Sequence, residues 1–114
     1  MRLSGQIALA ALAVVSVCEV AAAETKFEAG RRAYALMEAG AEYCPNLENT
    51  WTAGAMVMEG YSYDPLVNDA EIHRLLAEKQ KFFETFRSVP RAIVCEMLMQ
   101  EFGPGGRLHL FQFR

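Results

Sequence analysis

Asn68-Asp69-Ala70-Glu71-Ile72-His73-Arg74-Leu75-Leu76-Ala77-Glu78-Lys79-Gln80-Lys81-Phe82-Phe83-Glu84-Thr85-Phe86 is the stretch that decides the fold class. Ile72, Leu75, Leu76, Phe82, Phe83 and Phe86 fall on one stripe, interrupted only by Lys79, while His73, Arg74, Glu78, Gln80, Lys81 and Glu84 lie opposite. Three- and four-residue spacing of this kind is the period of an amphipathic helix. Asn68 followed by Glu71 is a start signal of the capping-box type, and the acids Asp69 and Glu71 suit the positive end of the helix dipole. Such a helix must bury its apolar face against partners, and the flanking sequence supplies them.

Toward the C-terminus, Pro90 is preorganised for the first turn of another helix, which the apolar residues Ile93, Val94, Met97, Leu98 and Phe102 carry forward. Gly103-Pro104-Gly105-Gly106 stops it. Residues 107–114 have β-like composition, but no second strand is evident, so they are expected to lie as an extended arm on the helices. Toward the N-terminus, a helix is predicted from Thr25 to Tyr43, capped by Thr25 with Glu28 and ended by Pro45. Its stripe is Phe27, Gly30, Tyr34, Met37, Ala41 and Cys44. Glycine costs about 1 kcal/mol inside a helix, so Gly30 and Gly40 imply close approach of a neighbouring helix. A further helix is predicted from Asn49 to Tyr61, with Trp51, Ala55 and Met58 on one face; Asp64-Pro65 then breaks regular structure. The fold expectation is all-α: a compact bundle of about four helices with a short extended C-terminal tail.

The first residues carry an export signal. Arg2 is the positive flank, Ile7 to Val17 the apolar run, and Ala21-Ala22-Ala23 the small residues before a cut between Ala23 and Glu24. A membrane-spanning helix needs roughly 20 apolar residues, and Cys18 and Glu19 interrupt this run first. Bulky Val17 before Cys18 is wrong for lipid attachment. The division is therefore a signal peptide over 1–23 and a single helical domain over 24–114, located in the periplasm or secreted, with no stable membrane anchor after cleavage.

Cleavage leaves 91 residues with 10 basic against 13 acidic side chains. A balance this mild argues against nucleic acid as a partner, because phosphate binding needs a concentrated basic surface. It also leaves two cysteines, Cys44 and Cys95. In an oxidising compartment an even pair in a small domain is most simply one disulfide. The loop it closes, about 50 residues, corresponds to roughly 4 kcal/mol in the chain-entropy model.

No catalytic constellation is evident. His73 and His109 are the two histidines, and neither a Gly-x-Ser-x-Gly elbow nor a reactive-cysteine setting accompanies them. His73 sits on a polar helix face and reads as solvated. Glu38 and Glu42, four apart, read the same way. Met56-Val57-Met58 and Met97-Leu98-Met99 offer soft thioethers for Cu(I). Two residues span about 200° of helix, however, so one methionine of each pair points away from the other. Haem attachment by Cys-x-x-Cys-His is missing. No cofactor and no metal are therefore expected. Trp51, Tyr61, Tyr63, Phe111 and Phe113 lie near predicted helix ends or in loops, where aromatic side chains are enriched in contact patches, and form the candidate partner surface.

At Cys44-Pro45, and at Cys95 followed by Phe102-Gly103-Pro104-Gly105, the chain resembles small exported proteins of alphaproteobacteria grouped as a family of unknown function. The resemblance implies a periplasmic setting and carries no functional residues. The expectation is a non-enzymatic periplasmic protein that binds another protein, of inhibitor, immunity or stress-chaperone type. The alternative is a small-molecule or Cu(I) carrier using methionine and histidine.

Overall fold

The computed structural model describes residues 24–114; the signal peptide expected over 1–23 lies outside the described residues. Helix α1 (Lys26–Tyr43) begins as the sequence predicts. The Thr25 hydroxyl accepts the Glu28 N–H at 3.0 Å, and the Glu28 carboxylate accepts the Thr25 N–H at 2.9 Å. It ends at Cys44, whose N–H donates to the Gly40 carbonyl, ahead of Pro45. Gly30, Ala35, Leu36, Met37, Ala39 and Gly40 are all buried. This is a broader surface than one stripe, because α1 is central and packs on every other helix and on a strand.

The two glycines of α1 mark where neighbours come close. A Cβ on Gly30 would lie 2.7 Å from the Cβ atoms of Tyr61 and Tyr63. One on Gly40 would lie 2.6 Å from the Phe111 ring and 3.0 Å from Leu98. The approach to Gly40 is thus made largely by the C-terminal tail, not by a helix alone.

That tail is the main departure from the sequence expectation. Strand β1 (Leu47–Asn49) pairs antiparallel with strand β2 (Phe111–Phe113), in the register Leu47 with Phe113, Glu48 with Gln112 and Asn49 with Phe111. The pairing extends at both ends through Thr50 N–H to the Leu110 carbonyl and Arg114 N–H to the Asn46 carbonyl. Leu110 and Phe111 are fully buried, so the tail is an integral part of the core rather than an arm laid over it.

Helix α2 (Ala53–Tyr61) starts four residues later than expected, because β1 takes up Leu47–Asn49. Its inward residues are Ala53 and Val57. Trp51, Ala55 and Met58, expected to share one face, do so, and that face is turned to solvent. Helix α2 ends at Ser62, which adopts the left-handed conformation with φ of 52°.

Helix α3 (Asp69–Arg87) is capped by Asn68, whose side chain accepts the Glu71 N–H at 2.8 Å. It buries Leu75, Phe82 and Phe86 against α1. Helix α4 (Arg91–Phe102) starts one residue later than the expected start at Pro90, which serves as its N-cap. It contributes Val94, Cys95, Leu98 and Phe102 to the same core. Cys44 and Cys95 form a disulfide spanning 51 residues of sequence, which ties the end of α1 to the middle of α4. The described residues therefore form a four-helix, disulfide-linked domain with a small two-stranded sheet. Among the described residues no helix is long and apolar enough to cross a membrane.

Candidate functional site

Glu71 occupies the third position of α3, where a capping-box carboxylate would turn back to its own cap. Its backbone does take part, but its side chain points inward and is 1% exposed. Arg31 of α1 meets it with both arms of the guanidinium: Nε donates to one carboxylate oxygen at 2.7 Å and Nη2 to the other at 2.9 Å. The Tyr63 hydroxyl donates to the same carboxylate at 2.7 Å. Bidentate geometry of this kind is the strongest form of the interaction. Three segments, α1, the turn after α2 and the start of α3, converge on one anion.

The electrostatics follow from that geometry. The Arg31 hydrogen bond holds the Glu71 carboxyl below the ordinary carboxylate range, outweighing the opposing effect of burial. Its bond to Glu71 raises Arg31 in turn. Burial, and then the bond to Glu71, push the Tyr63 hydroxyl well above the tyrosine range. The Tyr63 ring is packed against Phe27 at 4.8 Å and Tyr34 at 5.8 Å between centroids. A low-lying carboxylate with both oxygens engaged and no exposed surface is a poor general base. The cluster is built to join three segments.

A second charged group lies further along α1 and α3. Lys79, which interrupts the apolar stripe of α3, places its ammonium 2.7 Å from Glu42 and 3.5 Å from Glu38. Burial disfavours its charged form, but the hydrogen bond to Glu42 and the nearby Glu38 outweigh it and raise the ammonium. Glu38 and Glu42 are accordingly the two α1 partners of Lys79 in an interhelix ion pair, not merely solvated carboxylates.

The surface is concave along α4. A cleft of about 810 Å³ is lined by Pro45, Arg91, Cys95, Met99, Pro104 and Phe113 among others. Cys95 is in the disulfide and offers no thiol, and the Arg91 guanidinium lies 4.6 Å from the centre of the Tyr43 ring. Among the described residues, no three His, Cys, Asp or Glu side chains are grouped to hold a metal ion. His73 and His109 are exposed.

The five aromatic residues expected at a partner surface separate sharply. Trp51 is 94% exposed and Phe113 64% exposed. Tyr61 is half-buried. Tyr63 and Phe111 are interior and present no surface: the first gives its hydroxyl to Glu71, and the second fills the space that Gly40 leaves. Sequence reasoning missed Arg31 and the true role of Glu71. The one available signal was Gly30 beside Arg31, which brings Tyr63 close enough to share the carboxylate. It also missed the exposure of Leu66 and Val67 after α2.

No family model matches the chain, and no curated protein or solved structure matches it either.

Proposed function

We propose that this protein is exported to the periplasm, or secreted, and acts there by binding another protein without chemistry of its own. The observation that carries the reading is Trp51, the chain's one tryptophan, standing 94% exposed beside a helix whose outer face is apolar. Tryptophan dominates binding energetics when a partner buries it. Two further features support the reading. The interior charges at Arg31, Glu71, Lys79 and their partners satisfy one another and leave no reactive group among them. The Cys44–Cys95 disulfide is compatible with an oxidising location, which fits the signal sequence.

The test is photocrosslinking in the native compartment with a reactive residue at position 51. A single protein adduct at position 51, lacking from a control labelled at exposed His73, is the expected result. Crosslinking only to lipid, or none at either position, would count against protein binding.

A further inference from the structure

The partner-binding reading leaves open what kind of partner fits, and charge distribution narrows it. Of the six large apolar side chains exposed among the described residues, four, Trp51, Met58, Leu66 and Val67, fall within one segment running from just before α2 through the turn beyond it, while Leu76 and Phe113 lie elsewhere. Helix α2 is apolar on both sides. Val57 and Ala53 face the core, while Ala55 and Met58 face solvent, and its one charged residue is Glu59 beside Met58. A helix that is apolar all round is normally covered.

Along the chain the segment carries acids and no lysine or arginine. Residues 33–73 contain seven acids and neither lysine nor arginine. Four of the seven are taken up internally: Glu38 and Glu42 by Lys79, Glu71 by Arg31, and Glu48 by Gln112 and Arg114. The other three are Glu59, Asp64 and Asp69, all exposed, with no ion-pair partner among the described residues. Glu59 shares the outer side of α2 with Met58, and Asp64 sits in the turn where its carboxylate accepts the Leu66 N–H at 2.9 Å. An apolar face with an acidic border is complementary to apolar side chains flanked by cations, and it repels the anionic surface of a membrane.

We propose that the outer face of α2 with the following turn, centred on Trp51 and Met58, docks a cationic amphipathic segment of a partner protein, leucine-like anchors on Trp51 and Met58 and lysine or arginine beside Glu59 and Asp64. This rests on the protein-binding reading above and specifies its chemistry.

Trp51 is its own reporter. The disulfide-bonded protein is titrated with a helical peptide of leucine and lysine, and separately with one of the same apolar pattern carrying glutamate for lysine. The expected result is a blue shift of tryptophan emission with the lysine peptide only. Affinity should fall about fivefold as salt rises from about 0.05 to about 0.5 M, since exposed charges are screened. With a fluorescent lysine peptide read by anisotropy, Trp51→Ala should weaken binding about tenfold, and Glu59→Gln with Asp64→Asn severalfold. These variants alter exposed side chains, and asparagine can keep the Leu66 contact, so unchanged melting curves serve as the folding control. Equal binding of both peptides, no binding of either, or binding indifferent to Trp51→Ala overturns the proposal. So does a shift produced only by phosphatidylglycerol vesicles, or only by raising the protein's own concentration. A position-51 adduct with a partner lacking any basic amphipathic segment overturns this inference while leaving protein binding intact.

Discussion

Arg31 and Glu71, forty residues apart, meet in a two-pronged hydrogen-bonded ion pair that joins the second turn of α1 to the first turn of α3, with Nε and Nη2 at 2.7 and 2.9 Å from the two carboxylate oxygens. The pair is largely shielded from water, so its loss is asymmetric. Removing one member strands the other, whereas removing both removes the desolvation cost as well.

Glu71→Ala should therefore destabilise the domain by about 3 kcal/mol, leaving Arg31 without its anion. Arg31→Met combined with Glu71→Leu should restore much of that loss. Urea denaturation of the wild type, the single variant and the pair measures both. A double variant no more stable than Glu71→Ala would mean that the pair contributes net stability beyond what apolar packing can replace.

The same cluster contributes to the pH dependence of the fold on both sides. Glu71 has a folded value below its ordinary 4.5, so its contribution is present above that value and is lost as pH falls toward the folded one. Tyr63 is shifted the other way, from an ordinary 10.0 upward. The unfolded chain releases that proton first, so stability is undiminished below pH 10 and declines above it. Chemical denaturation across pH should show both limbs. Glu71→Gln should flatten the acid limb, and Tyr63→Phe should reduce the alkaline limb, to which the raised Tyr34 and Lys79 also contribute. Unchanged limbs in these variants would assign the pH dependence to other groups.

The elements that were legible share one property: their signals are local. Thr25 with Glu28, the stripe from Ile72 to Phe86 and the stop at Gly103 each fit within a few turns of chain, and each is realised, save that Leu76 of the stripe is exposed. What was not legible depends on distant partners. Leu47–Asn49 is three residues long, too short to show alternation, and its strand partner begins 62 positions later at Phe111. With β1 unseen, the helix is expected to begin at Asn49, four residues ahead of the observed start at Ala53. Glu71 was misread for a related reason. Its spacing from Asn68 fits a cap, and only the fold brings Arg31 and Tyr63 to its carboxylate.

The disulfide acts on the unfolded chain more than on the folded one. Cys44 and Cys95 close a loop of 51 residues, for which the chain-entropy model gives about 4 kcal/mol. Replacing both cysteines with alanine should lower the urea midpoint accordingly, and reducing the wild type should give a similar shift. Because the sheet, α1 and α4 also meet at this end, a loss much larger than about 4 kcal/mol would show that the bridge additionally holds native packing in place.

Gly40 and Phe111 test whether the C-terminal strand belongs to the core. The Phe111 ring is fully buried over Gly40, close enough that an added methyl group would meet it at 2.6 Å. Gly40→Ala gains helix propensity of about 1 kcal/mol, but overpacking costs about 1–3 kcal/mol, so a net loss is expected. Phe111→Ala empties the site and should cost about 3–5 kcal/mol. Combining Gly40→Ala with Phe111→Leu relieves the clash, and the double variant should be more stable than the two single losses predict. Strict additivity in urea unfolding would mean that the tail does not rest on α1 in solution. Coupling would place residues 110–113 in the same cooperative unit as the helices, which is what their complete burial at Leu110 and Phe111 requires.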